Sequence, residues 1–86
     1  MRINANCKIN LGLHVTRKRD DGYHELETVM LPVHELYDVV DVERVEGDAI
    51  SFYGCGIEID CPAENNLCVR AARLMQERYG VGGVAI

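Results

Sequence analysis

The chain has 86 residues, 48% of them hydrophobic, with a formal net charge of −5 and a pI near 5.0. That length fits one globular unit with a modest core. The acidic balance argues against a nucleic-acid backbone as partner. No apolar run approaches the roughly 18 residues of a membrane span, and the N-terminus carries no signal-peptide pattern, so the expected setting is the cytoplasm, with no membrane partner.

Taken in order, residues 3–15 hold the clearest period. Ile3, Ala5, Cys7, Ile9, Leu11, Leu13 and Val15 alternate with Asn4, Asn6, Lys8, Asn10, Gly12 and His14. Strict alternation predicts a half-buried strand. Lys8 and Asn10 then point to the same side, roughly 6–7 Å apart at the usual strand rise. Gly12 marks a bend or a place of close approach.

Arg17-Lys18-Arg19 meets Asp20-Asp21 in the following loop, a charge cluster that also suits a solvated turn. Asp21-Gly22 is a turn signal, because glycine adopts positive φ without steric cost. Tyr23 and His24 come immediately after. A tyrosine face stacks on a flat heterocycle and a neighbouring imidazole bonds its edge, which is how proteins read a single base. The same pair beside a turn is also ordinary in small domains.

Residues 26–33 are expected to return as a strand, with Pro32 near its end, and residues 38–45 to form another. Glu46-Gly47-Asp48 predicts a tight turn, 49–53 a short strand, and 57–60 an edge piece. Glu64-Asn65-Asn66 supplies helix caps. Leu67, Ala71, Leu74 and Met75 follow at helical spacing, with Arg70, Arg73 and Arg78 on the more polar sides and Gly80 as the stop. Residues 81–86 look like one more strand, at the edge of a sheet or as the opening of a longer domain.

Cys7, Cys55, Cys61 and Cys68 include no close C-x-x-C pair and read as reduced thiols. The histidines, His14, His24 and His34, form no ligand set by spacing, so no metal site is expected. Gly80-Val81-Gly82-Gly83 follows a helix rather than opening one, which makes it a poor phosphate cradle.

Three segments occur in order: Cys7-Lys8-Ile9-Asn10-Leu11, Arg19-Asp20-Asp21-Gly22-Tyr23-His24-Glu25-Leu26-Glu27-Thr28 and Asn66-Leu67-Cys68-Val69-Arg70-Ala71-Ala72-Arg73-Leu74. Together they resemble the GHMP kinase superfamily, in the branch that acts on a cytidine-diphosphate-linked methylerythritol. The resemblance covers the whole chain but only the N-terminal part of such a kinase. It implies an α+β fold, the ribosomal protein S5 domain 2-like N-terminal part of a GHMP kinase, with an antiparallel or mixed sheet and one helix.

The implied activity is ATP- and Mg²⁺-dependent phosphorylation of the 2-hydroxyl of methylerythritol, in the non-mevalonate route to isoprenoids. Lys8 corresponds to the catalytic lysine and Asn10 to a polar neighbour in the acceptor pocket. Tyr23 corresponds to the ring that stacks on cytosine and His24 to the residue that bonds its edge. Asn66 and Leu67 correspond to the lining of the adenine pocket.

Two departures stand out. Asn4-Ala5-Asn6 replaces the Pro or Ser-Pro common before the lysine element. The Gly-rich phosphate loop and the catalytic aspartate, which come later in such kinases, lie outside these 86 residues. The chain alone is therefore expected to be inactive and, with apolar faces bare, to self-associate. The competing expectations are a non-catalytic pyrimidine-nucleotide-binding module and a structural, oligomerising piece.

Overall fold

The computed structural model describes residues 1–86. It divides into two compact units, one of residues Asn4–Val39 and one of Met1–Ile3 with Val40–Ile86. The first unit is a β-hairpin. Its strands are the bulk of β1 (Arg2–Lys18) and β2 (His24–Asp41), paired as a two-stranded sheet. The alternation of residues 3–15 therefore produces a strand, but not the half-buried one it predicts: only Cys7 is partly buried, because no second layer covers either face of the ribbon.

One correction concerns β2, where two separate strands were expected over 26–33 and 38–45. One strand runs from His24 through Pro32 to Asp41, and the rest of the second stretch is the separate short strand Glu43–Val45. A two-stranded ribbon has an open edge on each side, and a proline there loses no ladder bond. Val33-His34-Glu35-Leu36-Tyr37 also offers alternating, strand-favouring residues rather than a turn.

The second unit is organised around the last strand. β3 (Glu43–Val45), β4 (Ile50–Ser51) and β5 (Gly83–Ala85) form a sheet in the order β3-β5-β4. β5 pairs antiparallel with β3, Arg44 opposite Val84, and parallel with β4, Ile50 opposite Val84. The segment read as an edge strand or as the opening of a longer domain is therefore central in this sheet. Parallel pairing of β4 and β5 requires a crossover. It is supplied by a 3₁₀ turn (Ala63–Asn65) and α1 (Leu67–Tyr79). A mixed sheet with one helix bears out the α+β reading.

The helix ends follow the sequence signals. Asn66 is the N-cap, its side chain accepting from the Cys68 N–H at 2.9 Å, and Gly80 closes the other end at φ 62°. Gln76 ties the helix to the sheet loops, its side-chain amide donating to the carbonyls of Asp48 at 2.8 Å and Gly82 at 3.2 Å. Val69 is the one buried hydrophobic residue. Residues 57–60 form no strand. Ile57 is 94% exposed, and the Cys61 N–H turns back onto the Ile59 carbonyl at 2.9 Å.

Where β2 ends, the chain changes partners. The Val42 N–H donates to the Met1 carbonyl at 2.8 Å, and the terminal ammonium donates to the Val42 carbonyl at 2.7 Å. Arg2 grips Asp41 with two donors, Nε to Oδ1 at 2.9 Å and Nη2 to Oδ2 at 2.6 Å. The side-chain hydrogen bond from Arg2 holds the Asp41 carboxyl below the ordinary aspartate value; desolvation opposes it, and the charges of Arg2 and the terminal ammonium add smaller help. A depressed carboxylate pKa stabilises above its unfolded value, and that contribution is lost as pH falls through the folded value.

Two outcomes follow for this unit. In Arg2→Met, the Asp41 carboxyl should titrate at the ordinary aspartate value, read by carboxyl-carbon NMR; an unmoved titration would show that the pair is not formed in solution. A β-carbon at Gly83 would sit 2.7 Å from the Ala49 carbonyl oxygen and 3.0 Å from its nitrogen. Gly83→Ala should therefore cost about 1–3 kcal/mol, as overpacking against backbone does, measured by the urea midpoint.

Candidate functional site

The hairpin tip is built by residues 19–23. The Arg19 N–H donates to the Tyr23 carbonyl at 2.6 Å, and the Gly22 N–H donates back to Arg19 at 3.2 Å. Asp21 Oδ1 accepts from the Tyr23 N–H at 3.0 Å, while Asp21 Oδ2 lies 2.7 Å from Arg19 Nη2. Gly22 takes φ 88°, a conformation that disfavours any side chain. Arg19, Asp21 and Gly22 are thus occupied in holding the bend. The Tyr23 ring, 73% exposed, projects from it beside the exposed His24 that opens β2. Arg17 pairs with Glu25 at 2.6 Å just below the tip, so much of the basic cluster is ion-paired across the hairpin.

Lys8 and Asn10 are both exposed, on β1. The Cys7 thiol approaches the Val33 carbonyl at 4.0 Å, and Thr28 Oγ1 donates to the Gly12 carbonyl at 2.6 Å. Lys8 and Asn10 stand two apart on β1, and Tyr23 and His24 are consecutive where β2 begins, as two separate pairs.

Within the hairpin alone, the pair corresponding to the acceptor pocket and the pair corresponding to the cytosine site stand far apart along β1. Lys8 lies eleven positions back along β1 from Arg19, the residue level with Tyr23. That is roughly 35 Å of extended strand at the usual rise. The reason is that β1 runs on as one long strand, which the alternating pattern announces without stating how it curves. Its one interruption is Gly12, at φ 80°, the backbone state of a bulge that bends a strand.

Asn66 is 9% exposed and its side chain is already committed to the helix cap, which leaves Leu67, 75% exposed, as the member of that pair open to a ligand. Leu67 borders a shallow groove on α1 with Arg70, Ala71, Arg73, Leu74 and Glu77. In the sequence the two arginines are simply polar-side residues. Arg70 stands three after Leu67 and four before Leu74, and Arg73 three after Arg70, the helical spacing that sets neighbouring side chains along one face. A second shallow hollow lies on the hairpin among Leu11, Gly12, His14, Glu27 and Thr28. Neither hollow contains Lys8, Tyr23 or His24. No helix is long and apolar enough to cross a membrane.

No family model matches the chain. Its likeness to individual proteins is nevertheless extensive. It is 50% identical over 86 residues to a 4-diphosphocytidyl-2-C-methyl-D-erythritol kinase of Chlorobium luteolum, covering 98% of this chain and 28% of that protein. It is 45% identical over 85 residues to the kinase of the same name from Acaryochloris marina, covering 98% of this chain and 27% of the relative. A crystal structure of 4-(cytidine 5'-diphospho)-2C-methyl-D-erythritol kinase aligns with 99% of this chain at a TM-score of 0.72 and 41% identity, over 29% of that protein. The chain thus spans a little over a quarter of the length of the relatives it matches. Identity of this order over nearly every residue, with the backbone following the same path, makes the chain a homologue of a segment of the 4-diphosphocytidyl-2-C-methyl-D-erythritol kinases.

Proposed function

We propose that these residues belong to a small-molecule kinase that transfers the γ-phosphoryl group of ATP to the 2-hydroxyl of 4-diphosphocytidyl-2-C-methyl-D-erythritol. The observation that carries this reading is 40–50% identity, over 94–98% of the chain, to kinases of that name. The hairpin tip supports it independently. A bend closed by its own backbone and by Asp21 leaves the consecutive Tyr23 and His24 exposed. That suits stacking on cytosine by Tyr23 and an edge hydrogen bond from His24. In this reading the 86 residues are the N-terminal portion of an S5-like GHMP kinase domain, in a cytoplasmic enzyme of isoprenoid synthesis.

The roles divide along the hairpin. Tyr23 and His24 anchor the base, so binding energy from a remote, unreacting group is available to orient the polyol. Asn10, with a donor and an acceptor, holds an acceptor hydroxyl. Lys8 brings a positive charge to the hydroxyl that is to be phosphorylated, favouring the alkoxide that develops as its proton departs. Leu67 offers an apolar surface for adenine.

Phosphoryl transfer is largely positioning and electrostatic stabilisation. ATP supplies the transferred group and Mg²⁺ would neutralise its charge. The residues present do not by themselves fit that pair. No three His, Cys, Asp or Glu side chains gather as a metal site, and the Gly80–Gly83 run closes α1 and enters β5 instead of opening a helix. The triphosphate and its cation must be held by residues outside these 86.

Three measurements test the reading. The 86-residue chain should release no ADP above buffer in a coupled assay with ATP and substrate, and steady turnover would overturn this division of labour. In the longest protein containing this sequence, Lys8→Met should lower kcat by about 10²-fold or more with little change in KM, the mark of a group acting in the transition state. Tyr23→Ala should weaken binding of CDP by about 1–3 kcal/mol in a calorimetric titration, and unchanged affinity would remove Tyr23 from the base pocket.

A further inference from the structure

Gly12 is the one residue inside β1 or β2 with a positive φ, at 80°. The other positive-φ glycines, Gly22, Gly47, Gly56 and Gly80, stand in turns, bends or a helix end. A β-carbon built on Gly12 meets no atom within 4 Å, so packing does not exclude a side chain there. The backbone conformation does. A glycine of this kind within a strand marks a bulge, which re-aims the side chains beside it. Asn10 stands two residues before Gly12, and Lys8 four before.

One side chain of the opposite strand holds this point. Thr28 Oγ1, on β2, donates to the Gly12 carbonyl at 2.6 Å. Nearer the tip, Thr16 Oγ1 donates to the Glu25 carbonyl at 3.2 Å, so the shorter of these two cross-strand hydroxyl bonds is the one at the bulge. A bulge leaves a residue out of the regular ladder, and a hydroxyl can then take the place of a backbone donor. Thr28 follows His24 by four residues on the strand that leaves the tip. That strand therefore grips the backbone of the strand carrying Lys8 and Asn10, at a residue lying between the two pairs in sequence.

We propose that Thr28 is a positioning residue for the acceptor end of the site. Its hydroxyl holds the Gly12 bulge in one conformation and so fixes the direction in which Lys8 and Asn10 project. The inference rests on the kinase reading, in which those two side chains address the acceptor hydroxyl. Thr28 acts there through the backbone of β1 and touches no reacting atom. Reaction rates are sensitive to such placement, because a reacting hydroxyl must be held in a near-attack geometry.

The test uses steady-state kinetics of the longest protein containing this sequence, with CDP binding by calorimetry in parallel. Thr28→Val keeps the β-branched shape and removes only the hydroxyl. It should lower kcat for 4-diphosphocytidyl-2-C-methyl-D-erythritol by about tenfold or more, while CDP affinity stays within about twofold because the tip is intact. Thr28→Ser, which restores the donor, should recover most of the lost kcat. Gly12→Ala, which strains the bulge and leaves the hydroxyl in place, should reproduce the split between kcat and CDP binding. In the wild-type protein, three-bond couplings of Thr28 should report a single χ1 rotamer, a reading that stands even where a variant fails to fold. Wild-type kcat in Thr28→Val, no recovery in Thr28→Ser, equal losses of kcat and CDP affinity, or an averaged Thr28 rotamer would each overturn the proposal and leave the kinase reading standing. A wild-type protein that does not phosphorylate the substrate would overturn the kinase reading and this inference with it.

Discussion

The closure of the hairpin between Arg19 and Tyr23 is the constraint on which the candidate site depends. One backbone hydrogen bond of 2.6 Å and one carboxylate, Asp21, set the direction in which β2 departs. They also decide that Tyr23 and His24 face outward at the tip. Gly22 is required there because φ near 88° excludes a side chain at little cost only for glycine. Asp21 works twice, capping the Tyr23 amide and pairing with Arg19, so the polar residues of the turn are structural and the aromatic one is left free for a ligand.

The second unit solves a different problem, a parallel strand pair. β4 and β5 can lie side by side only because the 3₁₀ turn and α1 carry the chain across. Asn66 starts that helix and Gly80 ends it, and Gln76 fastens it to the loops at Asp48 and Gly82. β5 can enter the middle of the sheet because Gly83 has no side chain where the backbone of Ala49 passes. With Asn66 used as a buried cap, the exposed side chains of this region are Leu67 and the arginines beside it.

Little of the apolar surface is hidden. Val69 is the sole buried hydrophobic residue, and long aliphatic side chains on β1 and β2 remain half exposed. Relatives more than three times as long share this backbone. Burial of apolar area is the main favourable contribution to folding. The surface left open here is accordingly where further polypeptide, from the same chain or a second copy, contributes most.

Local order was legible in the residues themselves. Alternation from Ile3 to Val15 specified a strand, Asp21-Gly22 a turn, Asn66 and Gly80 the limits of a helix, and the Arg19–Glu25 segment the kinship with cytidyl-polyol kinases. Each of these depends on neighbours in sequence, through side-chain period, cap chemistry or the φ that glycine permits. The continuity of β2 through Pro32, the central place of β5, the commitment of Asn66 to a cap and the length of strand between Lys8 and Tyr23 were decided only in three dimensions. Each depends on which distant segment supplies a partner, and hydrogen-bond pairing between remote strands leaves no local mark in the order of the residues.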